Sequence, residues 1–462
     1  MTIRTINPAT EEILDQYDVM TKESIDNSAK KARRAFLDWK KDPKRRTEIL
    51  QDFAHELRVN KDKLARVATN EMGKVIKESL SEVEKCAWAM EYYADHGGIF
   101  STDEVVNTDA RKSFITFEPL GVIGSIMPWN FPYWQALRFA APSLIVGNVI
   151  ILKPSSATMQ CGIEIEKAFK NVGLPDGVFQ TLIGDSSIAN FLIDSEVNAV
   201  TFTGSVQIGA KVGQRATSQL KKCVLELGGS DPFIVCGDAD IDKASTGAVK
   251  GRFINCGQSC IASKRFFVVK KVANEFIEKF VQKTENLKVG DPLSAETDIG
   301  PLVNRDGIEN IDSLVQDSVA KGAQVLTGGH RLKSKGYFYE PTVIKNVSTN
   351  MRIASEETFG PVAPVTIVED ESEAIHRAND SQYGLGASIW TRDLDKADRL
   401  SRTIESGIVT VNNVVASDPR VPFGGVKKSG FGRELSRYGM LEFVNIKSVR
   451  FYDQLVRHHF VE

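Results

Sequence analysis

Apolar positions in the first hundred residues recur at helical spacing. Ile25, Ala29, Ala32, Phe36 and Trp39 follow one another at intervals of four, three, four and three, which places them on one helical face. Asp42-Pro43 reads as an N-cap with proline at the first helical position, and Ile49, Phe53 and Leu57 extend the stripe along the next helix. The pattern predicts helices throughout this region, with these residues in the core. From about Arg111 the period changes. Residues 112–118 are β-rich and are followed by proline and glycine. Short apolar runs then alternate with helical stretches at 122–127, 149–152, 180–183, 199–202, 224–227 and 232–235. Strands separated by helices predict βαβ units and a parallel sheet covered on both faces. A second α/β stretch runs from near Gly228 to about Glu434, and a strand-like patch lies at 446–452. The strongest apolar run, 143–152, is half the roughly 20 residues a membrane span requires. It predicts a buried strand.

Length and composition narrow the class. A chain of 462 residues exceeds one ordinary core and predicts two or three domains. With 58 basic and 60 acidic residues the net charge is −2, which argues against a nucleic-acid binder and gives no reason to expect a membrane-surface protein. The N-terminus shows no cationic segment followed by an apolar stretch, so no secretory signal is expected. The six cysteines form no C-x-x-C pair, which fits a reducing, cytoplasmic setting rather than a disulfide framework. The six histidines form no H-x-x-x-H pair, and His458-His459 falls at the C-terminal end, so no metal site is expected.

Four short segments could carry chemistry. Residues 253–260 hold Cys256 and Cys260 among small and amide residues just before a predicted strand at 265–269; glycine and serine beside Cys260 permit the close backbone approach an oxyanion-binding amide needs. Most such cysteines are simply small buried hydrophobes. Glu226 ends an apolar strand and precedes two glycines, as either a structural carboxylate or a base whose pKa burial raises. Strand ends are where open α/β sheets place their ligand crevice. In 127–132 two prolines bracket Trp129-Asn130-Phe131 and hold the Asn130 amide still, as a rigid loop or as an oxyanion donor. Gly204-Ser205 follows a predicted strand and opens a helix, a geometry that binds phosphate.

Together these segments resemble the aldehyde dehydrogenase superfamily. The resemblance rests on seven stretches in the family's order: 128–132, 152–155, 202–205, 225–229, 257–260, 356–361 and 422–425, with Glu226 and Cys260 34 residues apart. It implies an α/β fold with two Rossmann-like parallel-sheet domains plus a small β oligomerisation domain. The boundaries expected are 1–97 with 120–228 for dinucleotide binding, 229–434 for catalysis, and 98–119 with 435–462 for assembly into a homodimer or homotetramer. It further implies Cys260 as nucleophile, Glu226 as the base for thioester hydrolysis, and Asn130 with the Cys260 amide as oxyanion donors. Trp129, Lys153, Ser156, Gly204, Ser205, Glu357 and Phe359 would contact the cofactor. Ser156 stands where NAD-preferring members carry a glutamate; serine leaves room for a 2′-phosphate and Lys153 supplies charge, so NADP is expected, with NAD possible.

The stretch 416–434 is similar to the short succinate-semialdehyde dehydrogenases, which implies succinate semialdehyde as substrate and Phe131, Arg138, Ser417 and Phe423 around it. Arg138, eight residues after Asn130, could grip a substrate carboxylate, or could be salt-bridged to a neighbouring helix. Another such subgroup carries a second arginine six residues before the nucleophile, where this chain has Ile254. Glyceraldehyde or lactaldehyde remains an alternative substrate, as do a CoA-acylating enzyme and a non-catalytic structural relative. Cys256, four residues from Cys260, is a candidate partner in a redox lock.

Overall fold

The structure, a computed structural model, describes residues 2–453. Its first element departs from the helical expectation: Thr2–Ile6 and Ile13–Asp18 pair as an antiparallel hairpin. A strand's period of two needs only a few residues, and the helical stripe that follows hid it. The stripe itself forms Lys22–Trp39, burying Ile25, Ala29, Ala32 and Trp39. Pro43–Val59 follows, with the Asp42 carboxylate accepting from the Arg45 backbone N–H as the predicted cap. Lys61–Met72 and the 25-residue helix Ile76–Phe100 complete the helical region.

Two sheets follow. Five parallel strands, in the spatial order Lys222–Glu226, Ala199–Thr203, Val122–Ile126, Val149–Lys153 and Phe179–Thr181, carry Gly430–Phe431 antiparallel at one edge. Strands such as Val122–Ile126 and Val149–Lys153 are buried at every position, which is why they read as unbroken apolar runs. The run at 143–152 is not one strand. Its first part ends the helix Pro132–Ile145, the chain turns through Gly147 and Asn148, and Val149–Lys153 begins the strand. Apolarity on both sides of the turn concealed the break. The second sheet has seven strands, ordered Gln324–Thr327, Thr342–Lys345, Val362–Val368, Ser263–Val269, Asp231–Val235, Gly386–Trp390 and Ile408–Val411, all parallel except the first. A third sheet pairs Val444–Phe451 with Lys112–Pro119 over eight residues and Lys112–Pro119 with the short Glu104–Val105. The outer part of the expected assembly segment, including His458-His459, lies outside the described residues. Among the described residues no helix is long and apolar enough to cross a membrane.

The arrangement of the two large sheets positions everything that follows. In the first, the order reverses at Val122–Ile126, whose neighbours are Val149–Lys153 on one side and Ala199–Thr203 on the other. The carboxyl ends flanking such a switch form a crevice. The second sheet turns the amino ends of its strands toward the same crevice: Gly229 leads into Asp231–Val235, Cys260 into Ser263–Val269, and Glu357 with Phe359 into Val362–Val368.

Candidate active site

Cys260 lies on the turn between a tight 3-10 segment, Ile254–Gly257, and the strand Ser263–Val269. Asn255 and Cys256 adopt left-handed backbone conformations (φ 51° and 54°), so this segment is bent into a shape ordinary residues avoid. Arg252 holds it. Its fully buried guanidinium donates to the carbonyls of Ser263 (3.0 Å), Gly257 (2.9 Å), Thr358 (3.2 Å) and Gly360 (2.7 Å), tying the cysteine segment to the Glu357 loop. Lys264 makes a second tie, donating to the Cys260 carbonyl (2.6 Å) and pairing with Glu357 (3.2 Å). Gly229 must be glycine here, because a Cβ at that position would stand 2.6 Å from the Cys260 carbonyl oxygen.

Burial pushes the Cys260 thiol up to about 11, against the opposing pull of Arg138 and Lys264. Cys256 is wholly buried and raised further, with Glu78 adding to the effect. Both thiols are free. Asn130 is buried, donates one Nδ2 hydrogen to the Gln258 carbonyl (3.1 Å) and keeps the other. Its own carbonyl accepts from Asn255 Nδ2 (2.8 Å), which locks the two loops together. The Cys260 backbone N–H has no acceptor among the described residues. Two donors next to a thiol can therefore receive an oxyanion.

Glu226 ends its strand 2% exposed, with neither carboxylate oxygen hydrogen-bonded. Burial, reinforced by the Glu434 carboxylate, raises its pKa well above the usual range, while Arg138 and Arg433 oppose the shift. Once ionised, an unpartnered carboxylate with a raised pKa is a stronger base and can accept a proton from water.

Arg138 forms a buried ion pair, but with Glu434, which pairs with Phe423 just before the helix Ser436–Leu441 and does not lie on a helix. The pair leaves the guanidinium's Nη2 without a hydrogen bond although it is buried, and the ring of Phe423 lies 4.6 Å from the guanidinium carbon. Ser417 is buried and accepts from Lys85 (2.7 Å). Phe131 faces the Lys74 ammonium at 3.9 Å. The substrate set therefore gathers around Arg138, while Phe131 stands on the Lys74 side.

The cofactor set is split across the crevice, with Trp129, Lys153, Ser156, Gly204 and Ser205 following strands of the six-stranded sheet and Glu357 and Phe359 preceding a strand of the seven-stranded one. Trp129 meets Phe359 edge-to-face (5.8 Å, 88°) across the crevice between the sheets. Glu357 accepts from the Gly229 N–H (3.1 Å). Gly204 donates to the Glu226 carbonyl (3.0 Å), and Ser205 caps the helix Val206–Thr217. Lys153 ends its strand buried, with no ion-pair partner among the described residues, and burial lowers it to about 8. Ser156 opens the short turn Ser156–Thr158 beside it. A buried ammonium with no direct ion-pair partner, its burial offset only in part by the Asp185 charge, and near a helix N-terminus, fits a phosphate-bearing dinucleotide.

Sequence reasoning missed Arg252, Lys264, Glu434 and Lys85. Lys264 follows the nucleophile candidate by four residues and Glu434 ends a stretch already singled out, but neither position signals a partner. Elsewhere, Cys236, Asp238 and Glu371 converge, and Lys396 pairs with both carboxylates (2.9 and 3.3 Å).

The chain is similar in sequence and fold to known proteins. The profile of the "Aldehyde dehydrogenase family" matches residues 1–449. A Synechocystis sp. protein named probable succinate-semialdehyde dehydrogenase, NADP(+), is 46% identical over 451 residues, covering 97% of this chain and 99% of its own. The Escherichia coli succinate semialdehyde dehydrogenase, NAD(P)+, is 43% identical, covering 96% and 97%. The crystal structure of succinic semialdehyde dehydrogenase from Streptococcus pyogenes in complex with NADP+ superposes with a TM-score of 0.95 at 34% identity, covering 98% of this chain and 100% of that one.

Proposed function

Because the chain belongs to the aldehyde dehydrogenase family, we propose that it oxidises succinate semialdehyde to succinate with NADP, and NAD as a second acceptor. The observation that carries the substrate is Arg138: a buried guanidinium electrostatically coupled to Cys260 and Glu226, with one face satisfied by Glu434 and Nη2 still unpartnered. A carboxylate of the substrate fits that free donor. The absence of any such group in glyceraldehyde or lactaldehyde leaves Nη2 unsatisfied, a cost of roughly 1–3 kcal/mol or more for a buried charged donor.

The chain's own residues account for the chemistry. The thiolate fraction of Cys260, its proton given up to solvent, attacks the aldehyde carbon and forms the C–S bond. The resulting oxyanion is held by the free Asn130 Nδ2 hydrogen and the Cys260 backbone N–H. When bound, the nicotinamide supplies the hydride acceptor. The Cys260 thioester that follows is attacked by water, whose proton passes to Glu226, and cleavage of the C–S bond releases the acid and restores the thiolate. Glu226 also favours hydrolysis over transfer to CoA. For the cofactor, Lys153 and Ser156 would hold the adenosine ribose and its 2′-phosphate, Gly204 and Ser205 the pyrophosphate, and Glu357, Phe359 and Trp129 the nicotinamide end.

The six-stranded sheet with its helices serves as the dinucleotide-binding domain and the seven-stranded sheet as the catalytic domain. Val444–Phe451, paired on one side only among the described residues and exposing Ile446 and Phe451, serves assembly into a homodimer or homotetramer. Six free thiols suit a cytoplasmic location.

The test is kcat/KM for succinate semialdehyde, glyceraldehyde and a simple aliphatic aldehyde, with NADP and NAD, in wild type and Arg138→Ala. The expected result is a strong preference for succinate semialdehyde that falls about 100-fold in the variant. A flat profile, or a glyceraldehyde preference untouched by the substitution, sinks the substrate assignment.

A further inference from the structure

Beside Arg138 stands a second cation with no anion of its own. Lys85 projects from the long helix Ile76–Phe100, and its ammonium donates to the Ser417 hydroxyl (2.7 Å) and lies 4.4 Å from the centre of the Trp134 ring. Trp134 is one helical turn before Arg138 on Pro132–Ile145, so both cations address the same face of that helix. Among the described residues no carboxylate reaches Lys85 within 4.0 Å. The nearby acids are engaged elsewhere. Asp418 is held by Arg420 (2.9 and 2.6 Å), and Glu82 pairs with Lys74 while accepting the backbone N–H groups of Tyr133 (2.9 Å) and Trp134 (2.8 Å).

Partial burial and repulsion from Arg138 together lower Lys85 to about 8; Cys86 and Glu82 on its own helix and Asp418 from the loop oppose this incompletely. Arg138 has Glu434 on one side, but Lys85 has no carboxylate partner among the described residues, and two cations that repel in a partly buried place are stabilised by an anion between them. A carboxylate there converts mutual repulsion into attraction on both sides.

We propose that Lys85 is a specificity-determining residue that closes, with Arg138 and the Ser417 hydroxyl, a three-point clamp on the substrate's distal carboxylate. The three groups come from three separate segments: the helix Ile76–Phe100, the helix Pro132–Ile145 and the loop at 412–425. The proposal rests on the reading that the aldehyde carries a carboxylate. It adds to that reading the residue that replaces a lone arginine by a paired cationic site.

The experiment compares wild type, Lys85→Met and Lys85→Arg on succinate semialdehyde and on butanal, with NADP saturating. Methionine keeps the apolar stem over Trp134 and removes the charge. The expected loss in Lys85→Met is about 10- to 100-fold in the kcat/KM ratio of succinate semialdehyde to butanal, carried by KM, with Lys85→Arg recovering most of it. Succinate, as a competitive inhibitor of butanal oxidation, weakens by a similar factor. In wild type the KM for succinate semialdehyde, normalised to butanal, rises as pH passes about 8 and Lys85 loses its proton, whereas Lys85→Arg stays flat. This last comparison needs no charge-deleting variant to fold. A proportional loss on both aldehydes means Lys85 only tethers its helix to the Ser417 loop and overturns the proposal. So does an unchanged ratio. If the preference survives Lys85→Met but collapses in Arg138→Ala, only the assignment of Lys85 falls. If wild type has no preference for succinate semialdehyde at all, the carboxylate reading falls with it.

Discussion

Glu226 and Glu434 share one buried guanidinium, and that competition sets the pH behaviour of the site. The Glu434 carboxylate disfavours a second negative charge at Glu226, and it also occupies Arg138, the cation that opposes the rise. Removing the Glu434 charge acts in one direction through both routes: it relieves repulsion and frees Arg138 to favour ionised Glu226. Base catalysis needs the ionised form, so activity limited by thioester hydrolysis rises with pH through the Glu226 pKa. Glu434→Gln is therefore expected to move the acid limb of the kcat profile to lower pH; an acid limb that stays in place or moves up would contradict the coupling. Glu226 and Cys260 were legible as candidates because a carboxylate before two glycines and a thiol among small residues are unusual in themselves. Glu434 and Lys85 were not. Their significance lies in what they face, and each faces a residue distant in the chain.

The element that decides whether the cysteine is usable is the bent segment Ile254–Gly257. Gly257 takes φ +73°, and a Cβ there would lie 2.3 Å from the Gly360 carbonyl oxygen, so the segment and the Glu357 loop are packed backbone to backbone. Arg252 supplies the hydrogen bonds that make this close approach stable. Arg252→Met keeps bulk but strips donors from four buried carbonyls. The expected cost is at least about 3 kcal/mol, seen in chemical denaturation, together with a loss of Cys260 alkylation selectivity as the segment loosens. Unchanged stability would show the carbonyls finding other partners. At this scale the sequence was a good guide where a signal was local. The Asp42-Pro43 start, the Ser205 cap and the fully buried strands each follow from a few adjacent residues. It failed at Thr2–Ile6 with Ile13–Asp18, where two short strands carry too few residues to show a period, and at 143–152, where helix end and strand are equally apolar.

At the scale of the molecule, one sheet offers carboxyl ends and the other amino ends to a shared crevice, and among the described residues the third sheet has Val444–Phe451 at its edge. Val444–Phe451 is eight residues long, half of a two-sided ladder, and exposes Ile446 (57%) and Phe451 (50%). Such an edge recruits another strand. Wild type is expected to run in light scattering at two or four times 51.0 kDa, and Ile446→Lys with Phe451→Lys to run closer to one; an unchanged mass would place assembly elsewhere. The sequence by itself determined the alternation of strands and helices, the cysteine, the carboxylate and the amide, because periodicity and residue chemistry are properties of neighbours in the chain. Tertiary structure alone decided that Arg138 pairs with Glu434 while its Nη2 stays without a hydrogen bond, that Arg252 holds the Cys260 segment, and that Lys85 stands over Trp134, one helical turn from Arg138. Those facts depend on which distant groups burial leaves with or without a partner, and desolvation energy is fixed only when the chain has closed around them.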